Sequence, residues 1–165
     1  MMYVFRQGEP ADFAAIIELT ELWASEPSTT GHYEYNSVEK LRTRLGSYFW
    51  VAEHNTQVIG FIVGVANAAG CQNMHYQVLR QGENYLSLDQ LYVHPNHRGR
   101  GVGNELVKRL FAAAQANGIH RHLVLSANTD WQRTLGFYQK HGFRPWFFMM
   151  FTGPSTEEQS AEVEG

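Results

Sequence analysis

Apolar residues along the chain recur at two spacings, and the switching between them predicts an α/β domain. Met2–Arg6 is a short apolar run that reads as a strand. Glu9-Pro10-Ala11-Asp12 follows as a helix start: proline suits the first helical position, and acid suits the positive end of the helix dipole. Phe13, Ile16, Ile17, Leu19 and Trp23 then share a helical face until Pro27 breaks the pattern. The polar stretch Glu26–Asn36 reads as a loop. Ser37 is placed to cap a short helix through Leu45, with Val38 and Leu41 as its apolar contacts.

The second half of the pattern is richer in strands. Tyr48–Glu53 and Val58–Val65 are joined by only His54-Asn55-Thr56-Gln57, which predicts a hairpin. Ala66–Gln81 has no clear period and reads as an excursion between strands. Tyr85–Val93 is a strand ended by Pro95. Gly101–Asn117 is the clearest helix: Val102, Leu106, Leu110 and Ala113 lie on one side, Val107 and Ala114 beside them, and Gly118 closes it. Arg121–Leu125 predicts a strand, Trp131–His141 a helix before Gly142, and Phe143–Phe151 a last strand. The order is strand, two helices, hairpin, strand, helix, strand, helix, strand, which implies a mixed sheet. One domain is expected over residues 1–152, with a loose acidic tail over residues 153–165.

Composition narrows the function. The net charge is -3, and Glu157, Glu158, Glu162 and Glu164 in the tail account for the negative excess. The near-neutral body argues against a dedicated nucleic-acid binder. Cys71 is the single cysteine, so an internal disulfide and a thiolate metal cluster are both excluded. It has no readable base partner, which favours an incidental thiol over a nucleophile. The first residues carry no apolar signal core and no run is long enough for a membrane helix, so no membrane partner and a cytoplasmic location are expected. His94 and His97 precede the glycine-rich turn and His120 and His122 flank a strand, but no local set has metal-ligand spacing, so no metal is expected. The apolar run Trp146–Phe151 exceeds what one core face needs, and its other face is a candidate homodimer surface.

The sharpest local feature is Arg98-Gly99-Arg100-Gly101-Val102-Gly103, set between a strand and an amphipathic helix. Glycines let backbone approach a ligand, free amides at a helix start bind phosphate oxygens, and the arginines add positive charge. Taken alone it could equally be a structural tight turn. It lacks the Gly-Lys-Ser/Thr end of a nucleotide P-loop and the spacing of a dinucleotide fingerprint. The wider segment Leu88-Asp89-Gln90-Leu91-Tyr92-Val93-His94-Pro95-Asn96-His97 leading into this turn resembles the GNAT family of N-acetyltransferases. The family pattern Gln/Arg-x-x-Gly-x-Gly/Ala falls on Arg98, Gly101 and Gly103, and Phe137-Tyr138 with Gly142-Phe143 extends the likeness. At seven and four residues before Tyr138, where many members carry Asn and Ala, this chain has Trp131 and Thr134, and Asn128 lies three residues further upstream.

The resemblance implies a centrally splayed mixed sheet flanked by helices, with acetyl-CoA as cosubstrate. It implies that Arg98, Gly99, Arg100, Gly101, Val102 and Gly103 cradle the pyrophosphate. Leu91, Tyr92 and Val93 would align the thioester by backbone hydrogen bonds, and Asn128 would meet the pantetheine arm. Tyr138 would be the acid for the leaving thiolate, against a purely packing role. Asp89, placed like the glutamate of several amine-acetylating members, would be the base or would position the substrate. An ordinary exposed strand acid is its alternative. Both assignments together require the two side chains on one side of the sheet. Gln90 faces away from Asp89 unless a bulge intervenes. Glu26, His32, Tyr33 and Tyr35 in the first loop are candidates for binding the acceptor, with Trp23, His75 and Tyr76 as weaker ones. The reading is transfer of an acetyl group to a primary amine of a small molecule, leaning towards a cationic amine, by direct attack in a ternary complex. A peptide or protein amine, and a non-catalytic acyl-CoA-binding sensor or interaction protein, are the alternatives.

Overall fold

The computed structural model describes residues 2–29, 35–70, 79, 81–125 and 131–146. Its strands are β1 (Val4–Gln7), β2 (Phe49–His54), β3 (Gln57–Ala68), β4 (Asn84–Val93) and β5 (Arg121–Val124). They lie side by side in that order. The first three pairings are antiparallel and β4–β5 is parallel. The helices are α1 (Phe13–Ala24), α2 (Val38–Arg44), α3 (Val102–Ala116) and α4 (Trp131–Gln139).

Two apolar cores sandwich the sheet. On one face Phe13, Ile16 and Leu19 of α1 and Leu41 of α2 pack against Phe49, Val51, Phe61, Val63 and Tyr92. On the other face Val102, Leu106, Val107, Leu110 and Ala114 of α3 cover Ile62, Leu86 and Leu88. The buried stripe of α3 therefore ends in Ala114 instead of Ala113. Ser37 caps α2 as its type predicts, its Oγ accepting from the Lys40 amide at 3.2 Å.

Differences from the sequence reading have local causes. β3 runs three residues past Val65, because Ala66, Asn67 and Ala68 pair with Leu86, Tyr85 and Asn84 although they carry no strand-like apolar run. Residues 143–146 form no strand. The rest of the expected last strand, and with it most of the candidate dimer surface, lies outside the described residues, as does the tail.

β1 is fastened to the start of α1 by charge. Arg6 forks onto Asp12, Nη1 to Oδ2 at 2.8 Å and Nη2 to Oδ1 at 2.7 Å, and also reaches Glu53 on β2. Asp12 is buried, and its Oδ2 also accepts the Glu9 amide at 2.8 Å. The hairpin turn between β2 and β3 places both Asn55 (φ 50°) and Thr56 (φ 66°) in the left-handed region. Asparagine tolerates that region, whereas a β-branched threonine is strained there. Thr56→Gly is therefore expected to raise stability by about 0.5–1 kcal/mol. The check is a higher urea midpoint at unchanged slope, and a lower midpoint would refute the strain.

Candidate functional site

The glycine-rich turn delivers the start of α3 to the carboxyl end of β4. Gly99 (φ 73°) and Gly101 (φ 84°) both need the left-handed region, and Gly101 is the residue that enters the helix. No side chain caps α3, so its first amides carry no internal competitor for an anion. A Cβ on Gly99 or Gly101 would meet nothing within 4 Å, whereas one on Gly103 would touch the Phe137 ring at 3.5 Å. The turn is thus open where a phosphate would sit, and closed behind by α4. Gly101→Val is expected to weaken acetyl-CoA binding about tenfold, because valine tolerates the left-handed region poorly. Calorimetric titration reads this directly, and an unchanged affinity would dissociate the turn from the cofactor.

β4 changes character at Asp89. Its parallel pairing with β5 runs from Tyr85–Arg121 to Leu88–Val124, and among the described residues goes no further. Towards β3 the register shifts at the same place: Val63 faces Gln90 while Gly64 faces Leu88, leaving Asp89 as the extra residue of a bulge. The bulge reverses the alternation. Leu86, Leu88, Leu91 and Val93 all join the α3 face, and Tyr92 joins the α1 face. Among the described residues no strand pairs with β4 beyond Leu88 on the side that faced β5, so the backbone there, apart from the Val93 carbonyl held by Arg98, is open to an extended, amide-bearing chain.

The α1 face of this region is a connected polar cluster. Buried Gln90 and Asn36 exchange amide hydrogen bonds, Asn36 Nδ2 to Gln90 Oε1 at 2.9 Å and Gln90 Nε2 to Asn36 Oδ1 at 3.3 Å. Asn36 Nδ2 also donates to Thr20 Oγ1 at 2.9 Å. Tyr92 donates its hydroxyl to Glu26 Oε1 at 2.5 Å, and its ring stacks on Trp23 with centroids 5.3 Å apart. Burial and the Glu26 carboxylate push the Tyr92 phenol upward from its ordinary value.

Arg98 belongs to this cluster, which corrects its expected role. Its Nη1 and Nη2 donate to Glu26 Oε2 and Oε1 at 2.9 and 2.5 Å, and its Nε donates to the Val93 carbonyl at 2.8 Å. The guanidinium also lies 5.1 Å from the Tyr92 ring centroid. Its side chain therefore braces the turn to the segment just after α1. Glu26 is corrected with it. Burial pushes this carboxylate up, but hydrogen bonds from Arg98 and Tyr92 outweigh that and hold it below the ordinary value. A carboxylate so neutralised offers little to an incoming ammonium. Tyr35 is 70% exposed.

Tyr138 and Asp89 contact opposite faces. Tyr138 packs half-buried against the α3-side core, edge-on to Phe137 and Phe143. Asp89 is held from the other face by Arg44 at the end of α2, with Nη2 3.1 Å from Oδ2. The condition that both side chains lie on one side of the sheet is not met, so a direct Asp89–Tyr138 pair is withdrawn. Burial pushes the Tyr138 phenol up to about 12, which keeps its proton in place at every ordinary pH.

Asn128, His32, Tyr33, His75, Tyr76 and Cys71 lie outside the described residues. His94 and His97 pack with His54 and Tyr3 at centroid separations of 5.2–5.9 Å, anchoring the approach to the turn. Among the described residues no group of His, Cys, Asp or Glu is arranged to hold a metal. Among them, too, no helix is long and apolar enough to cross a membrane. Sequence reasoning missed Arg44, Asn36 and Thr20. Each is an ordinary polar residue of a helix or loop, and only tertiary contact gives it a role.

An uncapped, glycine-entered helix facing a half-opened parallel strand pair is the arrangement the resemblance implied. Residues 13–143 match the family model described as the Acetyltransferase (GNAT) family. The chain belongs to that family. Acetyl-CoA is the acyl donor of GNAT proteins, and the open turn and the unpaired edge of β4 fit its pyrophosphate and its amide-bearing arm. Among curated relatives, glucosamine 6-phosphate N-acetyltransferase of Trypanosoma brucei brucei is 27% identical over 82% of this chain and 85% of its own length. Human N-acetyltransferase 8B is 32% identical over 60% of this chain, but the match spans only 39% of that protein. The structure of a Clostridium acetobutylicum acetyltransferase with acetyl-CoA aligns with a TM-score of 0.66 at 18% identity, covering 92% of this chain and 96% of that one.

Proposed function

We propose that this GNAT protein transfers the acetyl group of acetyl-CoA to a primary amine of a small molecule, by direct attack within a ternary complex. The observation that carries the reading is the end of β4–β5 pairing at Leu88, opposite the open amides at the start of α3. An acyl donor laid there would present its thioester beside the bulge at Asp89. The trypanosome relative, which covers most of this chain, is named for an amino sugar phosphate, and that supports a small amine as acceptor.

The transfer forms a nitrogen–carbon bond and breaks a carbon–sulfur bond. The amine gives up one proton, and the sulfur departs as a thiolate that takes its proton from solvent. Positioning accounts for much of the acceleration. Backbone groups of Leu91 and the Val93 N–H on the open edge of β4 align the thioester, and a backbone N–H there meets the charge that develops on its oxygen. Asp89, on the acceptor face and held by Arg44, helps to position the incoming ammonium, whose proton passes to water before attack. Tyr138 approaches from the α3 face and donates a hydrogen bond to the leaving sulfur. Its raised pKa makes it a steady donor and makes full proton transfer to a thiolate uphill, since thiols titrate near 8.5.

Initial rates of thiol release, measured with both substrates varied, test this scheme. Intersecting lines are expected. Parallel lines would indicate a covalent acetyl-enzyme and overturn direct attack. Stabilisation by acetyl-CoA without amine-dependent thiol release would favour a non-catalytic acyl-CoA-binding protein.

A further inference from the structure

Glu26 and Asp89 are each already matched by an arginine, Glu26 by Arg98 and Asp89 by Arg44. Among the described residues these two acids are thus already balanced, which weakens the lean towards a cationic acceptor. The Arg44 side of the sheet has the opposite character. Arg44 lines a cavity of about 160 Å³ that continues past Ser47 and Tyr48 to Gly64 and Val65 of β3. Its link to β4 is Arg44 itself, which lines the cavity and also pairs with Asp89 at the bulge.

Arg44 itself is incompletely used. One amino group bonds Asp89, while its Nε is buried with no hydrogen-bond partner among the described residues. A guanidinium carries five donors in a rigid fork, and leaving one buried and unmet is unfavourable. The enclosed Nε is out of a ligand's reach, but the Arg44 side chain is 27% exposed, and a carboxylate or phosphate oxygen is the natural complement to its outward amino groups. Ser47 and Tyr48 also line the cavity.

We propose that this cavity receives an anionic group, carboxylate or phosphate, carried by the amine acceptor, with Arg44 as its cationic contact. The acceptor is then an amino acid or an amino sugar phosphate, with its amine directed to Asp89 and its anion to Arg44. As the anion engages Arg44 it competes with Asp89 for the guanidinium, which leaves the Asp89 carboxylate freer to hold the incoming ammonium. This inference rests on the amine-acetylation reading above.

The test compares paired acceptors: glucosamine 6-phosphate against glucosamine, and glycine against glycinamide. The wild-type protein is expected to prefer the anionic member of at least one pair, and which pair responds identifies phosphate or carboxylate. Arg44→Gln should cut that preference about tenfold, through KM for the anionic acceptor, and Arg44→Lys should restore part of it. Equal preference in wild type and Arg44→Gln would overturn the proposal, as would a wild-type preference for both neutral members. If Arg44→Gln melts early, Arg44→Lys carries the comparison, because it keeps the charge and loses the fork. A second arm titrates inorganic phosphate and acetate into the protein saturated with acetyl-CoA, so that the turn is already filled. Weaker anion binding in the Arg44 variants supports the site, and identical binding overturns it. No product from any amine would instead defeat the amine-acetylation reading, with the titration still deciding the anion site.

Discussion

Tyr138→Phe is expected to lower kcat by about 100-fold, with KM for acetyl-CoA changed by no more than about threefold. The phenol packs among Phe137, Phe143 and the α3-side core, so phenylalanine fills the same space and the fold is unaffected. What is removed is one hydrogen bond to a sulfur that gains negative charge only as the thioester breaks. Such an interaction acts on the transition state and not on the bound substrate, so it moves kcat and not KM. The pH profile sharpens the test. A phenol with a pKa of about 12 stays protonated through the usual assay range, so no loss of rate between pH 8 and 10 belongs to Tyr138. A falling limb there that vanishes in Tyr138→Phe would mean an acid of ordinary pKa. An unchanged kcat in the variant would make Tyr138 a packing residue.

Arg6→Met is expected to destabilise the protein by about 3–5 kcal/mol without touching the site. Asp12 is buried at 4% exposure and is neutralised by the fork of Arg6. Methionine fills much of the arginine stem but leaves this carboxylate uncompensated, and a stranded buried charge is far costlier than a lost surface pair. Hydrogen bonding to Asp12 raises the Arg6 pKa despite the opposing effect of burial, so the guanidinium is charged wherever the protein folds. The double variant Arg6→Met with Asp12→Leu should recover most of the loss, since replacing both partners removes the penalty. Chemical denaturation decides it: a single-variant loss under about 1 kcal/mol would show that Glu53 and solvent already screen Asp12.

The features legible in sequence are those fixed locally. Ser37 announces the start of α2 because a hydroxyl just ahead of an apolar turn satisfies a free amide. Gly99 and Gly101 announce the turn because the left-handed region suits glycine far better than other residues. The mixed sheet follows from the change between apolar periods. The features that were not legible depend on contacts between distant segments. Arg98 and Glu26 stand 72 positions apart, and nothing in either local pattern says that one neutralises the other. Both were therefore assigned to ligands when they hold each other.

The bulge at Asp89 is a second such case. Strict alternation puts Leu88 and Gln90 on one face, but the extra residue sends Gln90 to Asn36 and Leu91 to the α3 core. A one-residue insertion costs no recognisable motif, yet it decides which side chains meet the acceptor. Arg44 was passed over for the same reason. At the end of a short helix a basic residue is the usual complement to the helix dipole, and only its contact with Asp89 marks it as more.

The most direct test of the central claim is mass-spectrometric detection of products from a mixed amine panel incubated with acetyl-CoA. The panel spans amino acids, amino sugars and their phosphates, aminoglycosides, polyamines and short peptides, with a control lacking the protein. The account predicts a protein-dependent gain of one acetyl group on a small amine that carries an anionic group. Acetylation confined to peptides would contradict the small-molecule reading, and no acetylated amine at all, from folded protein with intact acetyl-CoA bound, would contradict catalysis.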